Sequence, residues 1–372
     1  MRPSRPSFWD ERQPSFGRRL ALAPLAALSW LYGAGALLHR AWWELGASRP
    51  VRLPCRVVSV GNLVVGGSGK TPVAAWVASG LARRGWPVAI ASRGYGGRGA
   101  SAVEIVSDGR FVRARAEVVG EEPMLLAGLA PGVPVLVGRR RDTVGRRAVA
   151  AFDAQVLVLD DGFQHHRLAK DVELVTFSGA GLGGGGILPR GPLREPIRAL
   201  SRAHALLVVD GPLPEADELR IARAAPFASR FTLVRRPAFT RPLAGGAREP
   251  ATQLAGRRVG LVSGIARPAA LRETLRSLGA HVVAERAFPD HHSYRSKDLV
   301  GLAADAPLWI TTEKDAGKLL PAWTEGAEVR VLALATEFAE GEAFLDWLEQ
   351  KLHAHAGGRD ARLASFHVSD GT

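Results

Sequence analysis

Cysteine is nearly absent: Cys55 stands alone in 372 residues, so the chain builds neither a disulfide framework nor a cysteine-based zinc or iron–sulfur site. A reducing, cytosolic setting is expected. Lysine is almost as scarce, for among 49 basic residues only positions 70, 170, 297, 314, 318 and 351 are lysine. Long uncharged apolar runs are missing except for one, which excludes a polytopic membrane protein. Aromatic residues reach only 7%, few for the stacking platforms of a single-strand nucleic-acid motor. What is present, 47% hydrophobic and 23% charged residues, is the balance of a chain that buries a core. The length suits two domains.

The net charge of +13 favours anionic partners: nucleic acid, phosphorylated small molecules or an acidic membrane surface. The one apolar run, LALAPLAALSWLYGAGALL at 20–38, follows Arg18 and Arg19 and precedes His39 and Arg40. As a helix it would rise roughly 28 Å, just enough to cross the hydrocarbon of a bilayer. Pro24, Ser29, Gly33 and Gly35 weaken it, whereas Trp30, Tyr32, Trp42 and Trp43 are residues that settle at a membrane interface. Three uses fit: a membrane anchor, spanning or lying in the interface; a cleaved signal peptide ending near Ala34-Gly35-Ala36; or a helix packed on the protein's own core. The anchor is the expectation.

From Arg56 the chain reads RVVSVGNLVVGGSGKTPVAAWVASGLARRG. The β-branched run Val57–Val60 predicts a buried strand, and Val73–Leu81 has helical spacing. Between them lie Val65, Gly66, Gly67, Ser68, Gly69, Lys70, Thr71 and Pro72. Strand, glycine loop, Lys-Thr and helix form the arrangement that cradles nucleotide phosphates: backbone N–H groups face the oxygens, the lysine reaches the β/γ-phosphates and the threonine ligates Mg²⁺. The usual pattern wants glycine at position 64, where this chain has Val64. The guanine-reading Asn-Lys-x-Asp motif is absent, which favours ATP.

AQVLVL (154–159) predicts a second buried strand with Asp160 and Asp161 at its carboxyl end, where α/β sheets bind ligands and where an aspartate can hold Mg²⁺ opposite the loop hydroxyl. Gln164 and His165 continue this stretch into the same cleft. SRGYGG presents Arg93 and Tyr95 at another strand end, and ILPRGPLREP (187–196) carries Arg190, Arg194 and Glu195, arginines being suited to phosphate oxygens. Glu195 joins Thr71, Asp160 and Asp161 as a candidate metal ligand. Glu121 and Glu122 are adjacent carboxylates in VGEEP. In FPDHHSY the Asp290, His291, His292 cluster lacks helical zinc spacing and suits proton transfer by a histidine oriented by a carboxylate. Thr312 is placed to cap a helix with Asp315 three residues on.

In order, SVGNLVVGGSGKTP, SRGYGG, VGEEP, LDDGFQH, LPRGPLREP, FPDHHSY and TTEKDAGKL resemble the tetraacyldisaccharide 4'-kinase family, over roughly residues 15 to 350. The resemblance implies phosphorylation of a lipid A precursor, an anionic disaccharide lipid, with ATP and Mg²⁺, at the cytoplasmic face of the bacterial inner membrane. It also implies that the loop without its first glycine is a family feature. By it, residues 65–72 bind ATP, Asp160 and Asp161 match a metal-associated pair, and an Asp–His dyad that activates the sugar hydroxyl falls on Glu121 and His291. Glutamate stands there in place of aspartate, one methylene longer. The implied architecture is α/β: a P-loop parallel-sheet kinase domain over 46–235 and a second, smaller α/β/α domain over 236–350. A membrane-associating segment (1–45) precedes them and a polar tail (351–372) follows. No nucleic acid and no obligatory protein partner are expected. The rival reading is a membrane-tethered P-loop nucleotide switch or ATPase without a lipid acceptor.

Overall fold

The computed structural model describes residues 6–12, 15–45, 49–94, 103–265, 268–290 and 292–354. In chain order they form α1 (Phe16–Ala21), α2 (Ala23–Glu44), β1 (Arg56–Asn62), α3 (Lys70–Arg83), β2 (Val88–Ser92), β3 (Glu104–Asp108), α4 (Ala116–Val119), α5 (Glu121–Leu129), β4 (Pro134–Val137), α6 (Arg141–Phe152), β5 (Val156–Asp160), β6 (Val172–Ser178), β7 (Ala205–Val209), α7 (Glu215–Ala224) and β8 (Ser229–Pro242). Then follow β9 (Glu249–Pro250), β10 (Arg258–Ser263), α8 (Pro268–Ser277), β11 (His281–Ala287), α9 (Leu302–Asp305), β12 (Trp309–Thr312), α10 (Glu313–Ala316), β13 (Val329–Phe338) and α11 (Gly341–Ala354).

The chain divides into two compact units. The larger holds Ser7–Val234 and the described residues from Phe338 to Ala354, and Arg235–Glu337 lie in the smaller. In the larger unit the strands lie in the order β8-β7-β6-β1-β5-β2-β4-β3. Every pairing is parallel except β3 against β4. β1 and β5 are buried on both faces, as unbroken runs of Val and Leu in a covered parallel sheet must be. Val58 and Val60 face the helices α3 and α11, while Val57, Leu157 and Leu159 face α6. In α3 the stripe Val73, Ala74, Val77, Ala78 and Leu81 is fully buried, the helical period the sequence displays.

The sequence places residues 338–350 in the second domain and starts a tail at 351; the structure instead puts Phe338–Ala354 in the larger unit. Phe344, Leu345, Leu348 and Leu352 of α11 all belong to the core of the larger unit. Trp76 stacks on Phe338 with ring centroids 4.0 Å apart, so apolar burial draws the chain back.

In the smaller unit β11-β10-β12-β13 run parallel, with Leu271 and Leu275 of α8 packed on Val259 and Leu261. Thr312 caps α10, its hydroxyl accepting from the Asp315 N–H at 3.1 Å.

Among the described residues no helix is long and apolar enough to cross a membrane. The 20–38 run is instead split between α1 and α2 at Leu22. α2 buries one side through Leu22, Ser29 and Gly33. The Ser29 hydroxyl donates to Ile187 O at 2.9 Å and accepts from Arg190 N–H at 2.9 Å. Its outward side is apolar: Leu28, Leu31, Leu38 and Trp42 are all more than half exposed, Leu38 at 71%.

Candidate active site

The glycine loop starts where β1 ends and finishes on α3. Gly69 sits at φ 77° as the N-cap of α3, a left-handed conformation suited to glycine. A Cβ there would come within 3.1 Å of Val209. Below the loop the Asn62 amide donates to Val64 O at 2.6 Å and to the Ser68 hydroxyl at 2.9 Å. Thr176 adds a hydroxyl contact to Ser68 at 2.9 Å. The loop is stitched to the distant Pro/Gly segment by Val65 N–H to Pro192 O at 2.8 Å and Arg194 N–H to Leu63 O at 2.9 Å. Two stretches separated by more than a hundred residues thus meet.

Because β1 and β5 are neighbours with Val60 opposite Asp160, the aspartates arrive beside the loop. The Thr71 hydroxyl lies 3.1 Å from Asp160 Oδ2. Asp160 is buried, and burial pushes its carboxyl up to about 7; Lys70 opposes the rise, whereas Glu122 and Asp161 add to it. Asp161 takes a different role. Held at φ 57°, it receives Arg194 Nη1 at 3.0 Å. Burial pushes Asp161 upward too, but Lys70, Arg194 and Arg141 together hold it below the usual carboxylate value. Gln164 is placed between, its amide donating to Asn62 O at 2.9 Å and its carbonyl 3.4 Å from Arg194. His165 is pushed down to about 4 by burial, then by Arg141 and Lys170, so its imidazole is neutral at physiological pH.

Arg141 escaped the sequence reading. At the first turn of α6, just after β4, it is 4% exposed, donates to Gly138 O at 2.8 Å and leaves Nε without a partner. Burial lowers it to about 10, so it stays charged, and it acts on Asp160, Asp161 and His165. A buried, under-used guanidinium between two carboxylates is suited to an anion brought by a ligand. The strand-end rule that found Asp160 applies equally to Arg141; the surrounding run Arg139-Arg140-Arg141 in an arginine-rich chain conceals it.

Two expectations change. Glu195 does not join Thr71 and Asp160: it is buried and gripped by both terminal nitrogens of Arg202, at 3.1 and 3.2 Å, which neutralises it in place. Asp161 is committed to Arg194 instead of to the Thr71–Asp160 pair. Glu122 raises Asp160, and Glu121, the proposed partner of His291, opens α5 after Gly120. Tyr95 and His291 lie outside the described residues. The neighbours of His291 are paired: Asp290 with Lys314 at 2.7 Å, His292 with Asp298 at 2.9 Å. Arg93 is exposed at the end of β2 and close enough to lower His165.

Mg²⁺ fits the residues present. A hydroxyl and a carboxylate oxygen are hard donors. Burial and like charge already raise the cost of ionising Asp160, which a cation would offset. Among the described residues no cluster of three or more His, Cys, Asp or Glu forms a metal cage.

Loop, helix terminus and hydroxyl–carboxylate pair define a P-loop nucleotide-binding protein of the phosphoryl-transfer type. A sequence model described as tetraacyldisaccharide-1-P 4'-kinase matches residues 21–353, and the chain belongs to that family. A tetraacyldisaccharide 4'-kinase of Anaeromyxobacter dehalogenans (strain 2CP-1 / ATCC BAA-258) is 44% identical over 91% of this chain and 92% of its own. One from Syntrophus aciditrophicus (strain SB) is 40% identical over 84% and 88%. The crystal structure of LpxK from Aquifex aeolicus in complex with ATP superposes with a TM-score of 0.72 at 28% identity, covering 90% of this chain and 99% of that one.

Proposed function

We propose that the protein transfers the γ-phosphate of ATP to the 4'-hydroxyl of a tetraacyldisaccharide 1-phosphate, a lipid A precursor, at the cytoplasmic face of the bacterial inner membrane. The observation that carries this reading is the Thr71–Asp160 pair beside the glycine loop, in a chain matched to the family from residue 21 to 353. Lys70 and the backbone of residues 65–70 hold the nucleotide phosphates. Thr71 and Asp160 would hold Mg²⁺, which when bound would supply charge neutralisation on the phosphates. Arg194, braced by Asp161, and Arg141 face anionic oxygen as charge spreads over the transferred group. Glu121 and His291 are the proposed proton acceptors for the attacking hydroxyl. Tyr95, Gln164, His165 and Arg93 are the proposed contacts to the sugar lipid.

The membrane surface is supported by α2, whose exposed side is apolar and carries Trp30 and Trp42 beside Arg40. A helix lying in the interface fits this amphipathic face. Replacing Trp30, Leu38 and Trp42 together by serine is expected to move the protein from the membrane pellet to the supernatant with an unchanged melting temperature. Unaltered sedimentation removes α2 as the anchor.

The reaction is tested by incubation with labelled ATP and the disaccharide 1-phosphate lipid in detergent, looking for a bisphosphorylated product. ATP hydrolysis that ignores the lipid points instead to a nucleotide switch. Glu121→Ala is expected to lower kcat by about 10² to 10⁴ without changing ATP affinity, the range for a general base. A large loss in Glu122→Ala with full activity in Glu121→Ala transfers the role to Glu122.

A further inference from the structure

A groove of about 730 Å³ opens in the larger unit between the second half of α2, the short helical turn at Ile197–Arg202 and the last turn of α7. Its walls carry four arginines, Arg40, Arg198, Arg220 and Arg223, set among apolar side chains such as Leu37 and Ile197, and no carboxylate lines it. Arg198 and Arg223 are exposed. Arg220 only approaches Asp217, at 3.9 Å, and Asp217 is already engaged by Arg12 at 2.7 Å. Guanidinium groups lining one groove suit an anionic ligand.

The groove is distinct from the phosphoryl-transfer site. His39 packs against His166 with ring centroids 5.5 Å apart, on the side of α2 that also carries Tyr32, whose hydroxyl senses Arg194 and Glu195. At 100° per residue Leu37 and Ala41 lie roughly opposite His39 on the helix. Leu38 and Trp42 of the exposed apolar stripe directly follow the groove residues Leu37 and Ala41 along α2. An anion seated among the arginines would therefore have acyl chains directed along that stripe.

We propose that this groove binds the phosphate headgroup of an anionic glycerophospholipid of the bilayer, and so fixes how the enzyme stands on the membrane. The proposal rests on the membrane-surface reading above and names the site and the lipid class that serve it. Its occupant is a bilayer lipid, not the sugar-lipid acceptor, because the groove residues Leu37 and Ala41 lie on the side of α2 roughly opposite His39 and its partner His166.

The test is sedimentation of the full chain with phosphatidylcholine vesicles, with and without phosphatidylglycerol. The variant R198Q/R223Q is compared with R257Q/R276Q, which removes the same charge from the smaller unit. Phosphatidylglycerol is expected to strengthen binding of the parent chain. R198Q/R223Q should lose about thirtyfold of that affinity, the value for two arginines at an anionic surface. R257Q/R276Q should lose little. Equal losses in the two variants, or none in either, overturn the proposal in favour of diffuse charge or no role. Displacement of the protein from vesicles by millimolar glycerol 3-phosphate also overturns it, because the site would then take a soluble phosphate.

Phosphoryl transfer to detergent-dispersed acceptor separates this proposal from the kinase reading. R198Q/R223Q should retain it; loss there places the groove in acceptor binding and overturns the lipid assignment. Absence of transfer in the parent chain faults the kinase reading and leaves the vesicle result standing.

Discussion

Replacing Asp160 by asparagine is expected to lower kcat by about 10³-fold or more while raising the melting temperature of the ligand-free protein at pH 8. The first effect follows from losing a carboxylate oxygen of the Mg²⁺ site, since a catalytic metal is worth several kcal/mol and each 1.36 kcal/mol is tenfold. The second follows from linkage. In the folded chain the Asp160 carboxyl titrates near 7, against about 3.9 in an unfolded chain. The folded state therefore holds the proton more tightly, and its stability falls as pH rises from about 4 through 7. Asparagine carries no such penalty. The stability difference between variant and parent should be small near pH 4 and largest at pH 8, measured by thermal melts in a chelator. A variant less stable than the parent at pH 8 contradicts a buried, disfavoured carboxylate at this position.

Lys70→Ala is expected to cost about 10³ in kcat, comparable to removing a preorganised charge from a developing anion. The lysine has a second effect. It is the largest influence opposing the burial-driven rise of Asp160 and Asp161, so its loss should push both carboxyls upward. Residual activity in Lys70→Ala should consequently have its acid limb at higher pH than in the parent, because the metal site must be ionised to bind Mg²⁺. A pH profile that keeps its acid limb while kcat falls separates the lysine from the carboxylates. A near-normal kcat with an unchanged melting curve removes the glycine loop from the mechanism.

What was legible in the sequence was local. β1, the glycine loop and α3 could be read because a β-branched apolar run, glycine spacing and helical period are properties of neighbouring residues. Asp160 could be read because a carboxylate directly after an apolar strand has a fixed place in a parallel sheet. The division of labour between Asp160 and Asp161 was not legible. It depends on Arg194 arriving from a loop tied to Leu63 and on a left-handed turn at Asp161. Glu195 looked available because its partner, Arg202, sits seven residues away within another arginine-rich segment. Arg141 was hidden for the converse reason: burial, not identity, distinguishes it from Arg139 and Arg140. Apolar composition gave a helix at 20–38, but not the faces that Leu22, Ser29 and Gly33 select.

The return of α11 to the larger unit has a consequence for the order in which the protein can be made. The sheet of the P-loop unit is complete in sequence by Val234, yet Phe344, Leu345, Leu348 and Leu352 fill one face of its core. Leu345 closes directly over Gly80 of α3, where a Cβ would come within 2.8 Å. During synthesis the nucleotide-binding unit therefore waits, with an apolar face uncovered, while roughly a hundred residues of the smaller unit are added at some 5–20 residues per second. A nascent chain halted before Phe338 exposes that face for as long as the halt lasts. The last helix thus acts as a late seal on an early-made domain.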